Sequence, residues 1–285
     1  MEGKKGRMVR EMTMAEPKAS SVAILGGGNL GQALARGWVA SWKCDPGQIT
    51  ITRRHAAALE PLAEQGFAVT TDNVEAVRGA DTILVAVQPQ QLVALLEEIS
   101  DVLEPDRHVL ISVVSDVSIA DIREHLGASV PVARAMPNTA IGICESMTCL
   151  AGDAGSEALD QAASLFEAVG KTLVIDEELM TSATVTCACG IAFFLRSIRA
   201  ASQGGIEIGF HPEEAMLLAA QTAKGAASLL LNAESHPEAE IDRVTTPRGC
   251  TIAGLNEMEH QGFSSAMIKG ILVSAKKAAG LFEER

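Results

Sequence analysis

Tyrosine is absent from this chain, and aromatic residues as a whole are scarce, with two Trp and seven Phe among 285 residues. The absence of Tyr excludes enzymes that protonate a ketone oxygen with a tyrosine hydroxyl, as short-chain dehydrogenases do. Since 47% of the residues are hydrophobic, the interior must be mainly aliphatic. The length allows one large core or two medium ones.

Cysteine pairs with the spacing of a zinc or thioredoxin-type site are also absent. No Cys-x-x-Cys pair and no Cys/His cluster occurs, so we predict no metal site and expect free thiols in a reducing, cytoplasmic compartment. Residues 1–20 are basic and lack the apolar core of a secretory signal, so we expect none there. We expect a disordered extension there. The six cysteines are Cys44, Cys144, Cys149, Cys187, Cys189 and Cys250.

Positive charge is in deficit, and the formal net charge is −13 at pH 7. This balance argues against nucleic-acid or anionic-membrane partners, and an anionic substrate would need a local positive site. The uncharged segment of residues 179–195 is too short and too rich in Thr and Ser to predict a membrane span. We expect a central buried helix, packed inside the protein or against another subunit.

Strand-like and helical patterns alternate as far as residue 176, which predicts a doubly wound, mainly parallel α/β sheet over residues 21–176. Residues 177–285 carry helical periodicity without a strand signal, so we predict an all-helical second domain with helices near 178–203, 212–233, 251–260 and 264–282. The predicted strands are 22–26, 48–52, 67–70, 81–87, 108–114, 131–135, 147–151 and 171–175.

A glycine-rich turn follows the first predicted strand and starts an amphipathic helix. In the run Gly-Gly-Gly-Asn-Leu-Gly, Gly26 suits a tight turn, Gly28 lets the backbone approach a pyrophosphate, and Gly31 allows close helix–strand packing. Asn29 and Leu30 complete the turn. A plain glycine loop is the alternative, but the flanking strand and helix favour dinucleotide binding in a Rossmann-type domain.

The end of the second strand discriminates between dinucleotides. NAD enzymes usually place an acidic residue here, about 20 residues past the glycines, to bind the ribose 2′-hydroxyl. This chain has Thr52, Arg53 and Arg54, which suit a 2′-phosphate because guanidinium groups present paired donors to phosphate oxygens. We therefore predict NADPH as the cofactor, with NADH possible. The alternative is a solvated arginine turn.

Two further loops are expected at the carboxyl edge of the sheet, where ligands of such folds bind. Val87, Gln88 and Pro89 follow the strand that starts near residue 81 and should lie near the ribose and nicotinamide. Asn138 follows the strand 131–135. It either orients the nicotinamide or caps a turn, and the sequence does not choose between these roles.

The helical domain contains its own candidate anion site. Thr246 and Pro247 precede Gly249, and the amides of Gly249, Cys250 and Thr251 should point outward at the start of a helix, where free amides attract a carboxylate. Thr251 adds a hydroxyl beside them. The alternative is that Thr246 merely caps the helix.

These segments resemble the motifs of the pyrroline-5-carboxylate reductase family, in matching order and spacing across nearly the whole chain from residue 20. The family has a glycine-rich turn, a Val-Lys-Pro strand end, Arg-x-Met-Pro-Asn-Thr, Gly-Ser-Gly-Pro-Ala, Glu-x-His-Pro and Thr-Ser-Pro-Gly-Gly-Thr-Thr. The corresponding segments here are residues 26–31, 87–89, 134–139, 188–192, 234–237 and 245–251.

The resemblance implies NAD(P)H-dependent reduction of 1-pyrroline-5-carboxylate, a small anionic cyclic imine, to proline, the last step of proline biosynthesis. It implies that Thr251 contacts the imine nitrogen. It also implies homodimers formed through the helical domain and larger assemblies of dimers. The further site residues that it implies are Asn73 for the adenosine end of the cofactor and Thr246, Gly249, Cys250, Glu234 and Gly190 for the substrate.

Several positions depart from the family pattern. Gln88 replaces a lysine, Cys189 and Ile191 flank Gly190 in place of Ser and Pro, and Arg248 and Cys250 replace a glycine and a small residue. These departures keep other functions open: an imine reductase with another substrate, a 3-hydroxyacid dehydrogenase-like enzyme, or a non-catalytic NADP-binding sensor. The dehydrogenase is disfavoured because residues 190–199 contain no lysine.

Overall fold

The apolar runs of the first 176 residues form one eight-stranded sheet. The computed structural model describes residues 21–127, 129–233 and 235–279, so the predicted extension over residues 1–20 lies outside it. All the predicted strands are confirmed, each to within three residues at either end. They are β1 Val22–Leu25, β2 Ile49–Thr52, β3 Ala68–Thr70, β4 Thr82–Val85, β5 Val109–Ser112, β6 Val132–Met136, β7 Ser146–Gly152 and β8 Gly170–Val174.

The sheet has the order β3-β2-β1-β4-β5-β6-β7-β8. Every pair is parallel except β6 with β7, so the predicted mainly parallel sheet is confirmed. The chain winds outward from β1 to β3 and then returns to place β4 on the other side of β1. This reversal opens a crevice at the carboxyl ends of β1 and β4, where ligands of doubly wound folds bind.

Helices cover both faces of the sheet. On one face Leu34, Trp38 and Phe166 belong to a buried cluster, and Trp38 donates an indole hydrogen bond to the Leu165 carbonyl at 2.9 Å. On the other face Val77, Leu92 and Ile122 belong to a second buried cluster. The helices are α1 Asn29–Ala40, α2 Glu60–Ala63, α3 Asn73–Arg78, α4 Pro89–Ile99, α5 Ile119–Leu126 and α6 Glu157–Glu167.

The remainder of the described chain is helical, as predicted. A π-helical segment, Thr184–Cys189, interrupts the first long helix, a local distortion that sequence periodicity did not reveal. The helix Pro237–Val244 was not predicted, because its eight residues are too few to establish a helical repeat in the sequence. These helices are α7 Met180–Ala183, α8 Gly190–Glu207, α9 Pro212–Ala233, α10 Pro237–Val244, α11 Cys250–His260 and α12 Phe263–Ala278.

The helical domain leaves much apolar surface uncovered within one chain. Phe194, Leu217 and Val273, on α8, α9 and α12, are 65%, 69% and 67% exposed, which is unusual for large apolar side chains. The stretch Glu177–Glu207, with a mean hydropathy of 1.5, could cross a membrane by length and composition. Only 33% of its apolar window is buried, so the predicted burial of residues 179–195 inside the chain is partial.

The two domains meet at the ends of β6 and β7. Met136 and Cys149 pack against Met180 and Ala183 in a third buried cluster. Glu177, at the start of the helical domain, accepts hydrogen bonds from the Ile119 amide at 2.6 Å and from Arg134 Nη1 at 3.2 Å. Arg134 is only 5% exposed, so Glu177 compensates a buried charge at this junction.

His108 makes stability depend on pH at the opposite edge of the sheet. The imidazole is fully buried, and its Nδ1 accepts a hydrogen bond from the Glu104 amide at 2.8 Å, which requires the neutral form. Burial lowers the pKa of His108 below its usual value near 6.5. The unfolded chain therefore binds a proton more readily, and the stabilisation present above about pH 6.5 is lost as pH falls.

We predict that His108→Asn reduces the acid sensitivity of the fold. The asparagine side-chain oxygen can still accept from the Glu104 amide but does not titrate. Wild-type protein should lose up to about 1.4 kcal/mol per pH unit through this site below pH 6.5. Denaturant unfolding between pH 8 and pH 5 measures both slopes. Equal slopes for the two proteins would contradict this assignment, whatever the variant's stability at pH 8.

Candidate active site

A cleft of about 560 Å³ lies at the carboxyl ends of β1, β2 and β4. Its walls come from the glycine turn, the end of β2, the start of α3 and the first turns of α4. Eight of the residues predicted to bind the cofactor line it: Gly26, Gly28, Thr52, Arg53, Arg54, Asn73, Val87 and Gln88.

Close backbone contacts shape the glycine turn. Gly26 has a φ of +114°, and a Cβ there would lie 2.5 Å from the Ala86 carbonyl oxygen of the neighbouring strand end. A Cβ on Gly31 would collide with the Gly26 carbonyl and lie 3.0 Å from Ile24 Cγ2. Both positions therefore require glycine, for the tight turn and for the close helix–strand packing that the sequence predicted.

The start of α1 is available to an anion. Gly28 occupies the N-cap position, where it has no side chain to satisfy the first amides, and the first turn contains no acidic residue. A Cβ on Gly28 would meet only open space, so the backbone is accessible from the cleft. Asn29 is exposed and Leu30 packs on the core. Free amides and the helix dipole suit a pyrophosphate at this point.

Two arginines stand at the end of β2. Arg53 is half-buried, whereas Arg54 is exposed, and both line the cleft. When the Gln91 amide is oriented with its oxygen toward Arg54, it accepts from the two terminal guanidinium nitrogens at 2.9 and 3.3 Å. Gln91 thus holds one guanidinium in place without neutralising its charge.

Thr52 and Asn73 form a hydrogen-bonded relay across the floor of the cleft. The Thr52 hydroxyl donates to Asn73 Oδ1 at 2.7 Å, and Asn73 Nδ2 donates to Glu98 Oε2 at 3.0 Å. The Thr52 hydroxyl proton is therefore already used, and its oxygen remains as an acceptor. The relay fixes Asn73 at the first position of α3 and orients the Glu98 carboxylate toward Asn73.

The sequence analysis missed the wall contributed by α4. The residues of this wall are Gln90, Gln91, Ala94, Leu95 and Glu98. They recur at helical spacing, so they share one face of the helix that follows Pro89. That periodicity was readable in the sequence, but only the packing of α4 beside α3 shows that this face meets the cleft. Pro89 is the first residue of α4, and Gln88 is the N-cap of this helix.

Asn138 caps a short helical turn. The Asn138 side-chain Oδ1 accepts a hydrogen bond from the Ala140 backbone amide at 3.0 Å. The Asn138 backbone amide donates to Ser146 Oγ at 3.2 Å. Of the two roles left open by the sequence, capping describes the contact that is observed. Asn138 is not part of the cleft wall within the described residues, and its role toward the nicotinamide stays a prediction.

The second candidate site is the turn before α11. Gly249 is the N-cap of this helix, so no side chain caps it, and Thr246 does not take the capping role considered as an alternative. The Gly249 amide donates to the Thr246 carbonyl at 2.9 Å. The expectation of three outward amides was therefore wrong for Gly249, since its proton closes the turn. The amides of Cys250 and Thr251 begin the helix.

Arg248 adopts a φ of +60°, in the left-handed region that glycine occupies without strain. The family pattern has glycine here, so the turn keeps its shape at a conformational cost. The Arg248 side chain is exposed, and Cys250 is exposed beside it. The departure therefore adds a positive charge next to the uncapped helix start.

The remaining predicted substrate residues are separated in the structure. Gly190 is buried where the π-helical segment passes into α8. Glu234 lies outside the described residues. The turn 246–251 does not contribute to the cleft walls in the described part of one chain. Within the described residues there is no cluster of potential metal ligands.

Family models match both domains. Residues 177–281 match the model described as pyrroline-5-carboxylate reductase dimerisation, and residues 21–116 match the model described as NADP oxidoreductase, coenzyme F420-dependent. A solved structure, Plasmodium falciparum pyrroline carboxylate reductase with NADP bound, superimposes with a TM-score of 0.83 over 92% of this chain and 98% of its own. At 21% identity this similarity concerns the fold.

Curated relatives are closer in sequence. Pyrroline-5-carboxylate reductase 1 of Dictyostelium discoideum is 53% identical to this chain over 93% of its residues. The aligned region spans 50% of the length of that relative. Pyrroline-5-carboxylate reductase 2 of the same organism is 50% identical over 91% of this chain and 92% of its own length. Together with the cleft and the uncapped start of α11, these matches show that the chain belongs to the pyrroline-5-carboxylate reductase family.

Proposed function

We propose that this chain reduces 1-pyrroline-5-carboxylate to proline, with NADPH as the preferred hydride donor. The observation that carries the proposal is the presence, in one member of this family, of a formed dinucleotide cleft and an uncapped helix start that bears Thr251. An imine needs less activation than a ketone, so positioning and a modest hydrogen bond suffice. The absence of Tyr from the chain fits this chemistry.

The substrate carboxylate is expected at the start of α11. The amides of Cys250 and Thr251 supply two donors, and the helix dipole favours the negative charge. Arg248 adds a cation beside them, which compensates locally for the overall charge of −13. The Thr251 hydroxyl is the group we assign to the imine nitrogen. When bound, the reduced nicotinamide supplies hydride to the carbon of the C=N bond.

The preference for NADPH rests on the end of β2. Arg53 and Arg54 stand where an acidic side chain would bind a ribose 2′-hydroxyl, and both face the cleft. Glu98, the acidic residue of the opposite wall, accepts from Asn73. Gln91 presents Arg54 to the cleft. Two guanidiniums in this position favour a phosphate over a hydroxyl.

A homodimer formed through the helical domain is the expected assembly, as the family's dimerisation domain indicates. The exposed apolar side chains of α8, α9 and α12 supply the surface that a second copy would bury. Since the turn 246–251 does not line the cleft of its own chain within the described residues, we propose that pairing completes the active site. The six free thiols fit a reducing compartment such as the cytoplasm. Assembly of dimers into larger particles is a further proposal.

The deciding experiment follows NADPH absorbance with purified protein and 1-pyrroline-5-carboxylate, with NADH in parallel. Rapid oxidation, with proline as the product, supports the proposal. If the protein binds NADPH but does not oxidise it, another cyclic imine or a sensor role becomes the better account. Turnover of a 3-hydroxyacid with NADP⁺ would instead favour the dehydrogenase alternative.

We predict that Arg53→Gln shifts cofactor preference toward NADH. The KM for NADPH should rise by about tenfold or more, because a hydrogen bond to a charged group contributes roughly 1.5–3 kcal/mol. The KM for NADH should change little. Arg78→Gln, which removes an exposed arginine of α3 outside the cleft, is the control. Equal rises for both cofactors would contradict the assignment of Arg53 to the 2′-phosphate.

We also predict that Thr251→Val lowers kcat while Thr251→Ser preserves most of it. Valine keeps the volume of threonine but removes the hydroxyl, so kcat should fall by at least about tenfold. Because the backbone amides remain, the KM for the imine should change less than kcat. Steady-state kinetics at saturating NADPH measure both constants. A Thr251→Val enzyme with undiminished kcat would contradict the assignment of the Thr251 hydroxyl to the imine nitrogen.

A further inference from the structure

Two cysteine sulfurs meet at the junction between the domains. Cys149 lies on β7, in the sheet, and Cys187 lies in the π-helical segment that leads into α8. Their Sγ atoms are 3.5 Å apart, although the residues are separated by 38 positions in the chain. Both belong to the apolar cluster that joins the sheet to the helical domain.

The geometry needs only a small movement to form a covalent bond. A disulfide holds its sulfurs about 2.0 Å apart, so closure draws these atoms roughly 1.5 Å nearer. Cys149 is fixed by strand pairing with Met136 on one side and Leu173 on the other. The movement therefore falls on Cys187, whose π-helical backbone departs from regular α-helical hydrogen bonding.

The two thiols differ in reactivity. Burial, reinforced by the contact with Cys187, raises the pKa of Cys149 to about 12, so this group stays protonated at neutral pH. Cys187 is half-buried and is the more accessible sulfur of the pair. Cys189 is two positions further along, and residues two apart do not share a helix face. Of these two thiols, an oxidant from solvent should therefore react first at Cys187, and Cys149 is the partner in contact.

We propose that Cys149 and Cys187 form a reversible disulfide when the protein meets hydrogen peroxide or an organic hydroperoxide, and that this bond locks the helical domain onto the sheet. The Cys187 sulfur attacks a peroxide oxygen, the O–O bond breaks, and a sulfenic acid and one water (or alcohol) are formed. The Cys149 sulfur then displaces hydroxide from Cys187, which leaves as water with the Cys149 proton. Two thiols lose two electrons, and the peroxide gains them.

Formation of the Cys149–Cys187 disulfide should lower kcat. The segment Thr184–Cys189 leads directly into Gly190, one of the residues assigned to the substrate. Pulling Cys187 toward β7 shifts this start of α8, and displacements of about 1 Å near a site can cost up to a hundredfold in rate. We expect the oxidised protein to lose about tenfold in kcat and to regain it with dithiothreitol. This consequence rests on the proposed reductase activity, whereas disulfide formation does not.

The test treats the full-length protein with hydrogen peroxide, blocks the remaining thiols with iodoacetamide and maps the non-reduced peptides by mass spectrometry. The expected product is a Cys149–Cys187 linked peptide pair, with two fewer alkylated thiols, and it should disappear on reduction. Cys187→Ser should abolish the link and the reversible loss of turnover. Cys144→Ser is the matched control, since it removes a half-buried thiol outside the pair and should keep both effects.

Two results would overturn the proposal. One is a wild-type protein in which peroxide leaves Cys149 alkylatable or links Cys187 to another cysteine. This mapping needs no variant and no substrate, so it holds even if the reductase activity fails. The other is a mapped Cys149–Cys187 disulfide that leaves kcat unchanged, which would contradict the proposed effect of the disulfide on the start of α8. Thermal melting of each variant before oxidation establishes that it is folded.

Discussion

The rest of the structure depends on the close approach of the glycine turn to the end of β4. Gly26 passes so near the Ala86 carbonyl that no side chain fits between them, and Gly31 packs against the same turn. These contacts bring α1 tightly onto the sheet and point its uncapped start into the crevice between β1 and β4. The position of the anion-binding amides, and hence of the cofactor, follows from this backbone packing rather than from any single polar contact.

The two candidate sites share one feature, a helix that begins at a glycine N-cap and so leaves its first amides without a side-chain cap. Gly28 before α1 and Gly249 before α11 both occupy N-cap positions that lack a side chain, so each helix offers its first amides to an anion. One site faces a formed cleft, whereas the other lies on a domain whose apolar faces are exposed within one chain. Membership of a family with a dimerisation domain accounts for that exposure, since a second copy would bury it.

Much of the fold was predictable because its signals are local. The apolar runs around Ile24 and Leu84 fixed strands and their order of appearance, and the turn residues after them marked the carboxyl edge. The π-helical segment and α10 were not predictable, since neither a local change of helical pitch nor a helix of only eight residues establishes a clear repeat in the sequence. The cleft wall on α4 was also missed, because only the packing of α4 beside α3 shows which face of that helix meets the cleft.

We propose that the two uncapped helix starts hold the two anionic ligands of one reaction. A crystal structure with NADP⁺ and proline tests it most directly. The claim predicts the pyrophosphate at the start of α1, the 2′-phosphate between Arg53 and Arg54, and the proline carboxylate on the amides of Cys250 and Thr251. A carboxylate bound elsewhere, with the start of α11 bare, would contradict it.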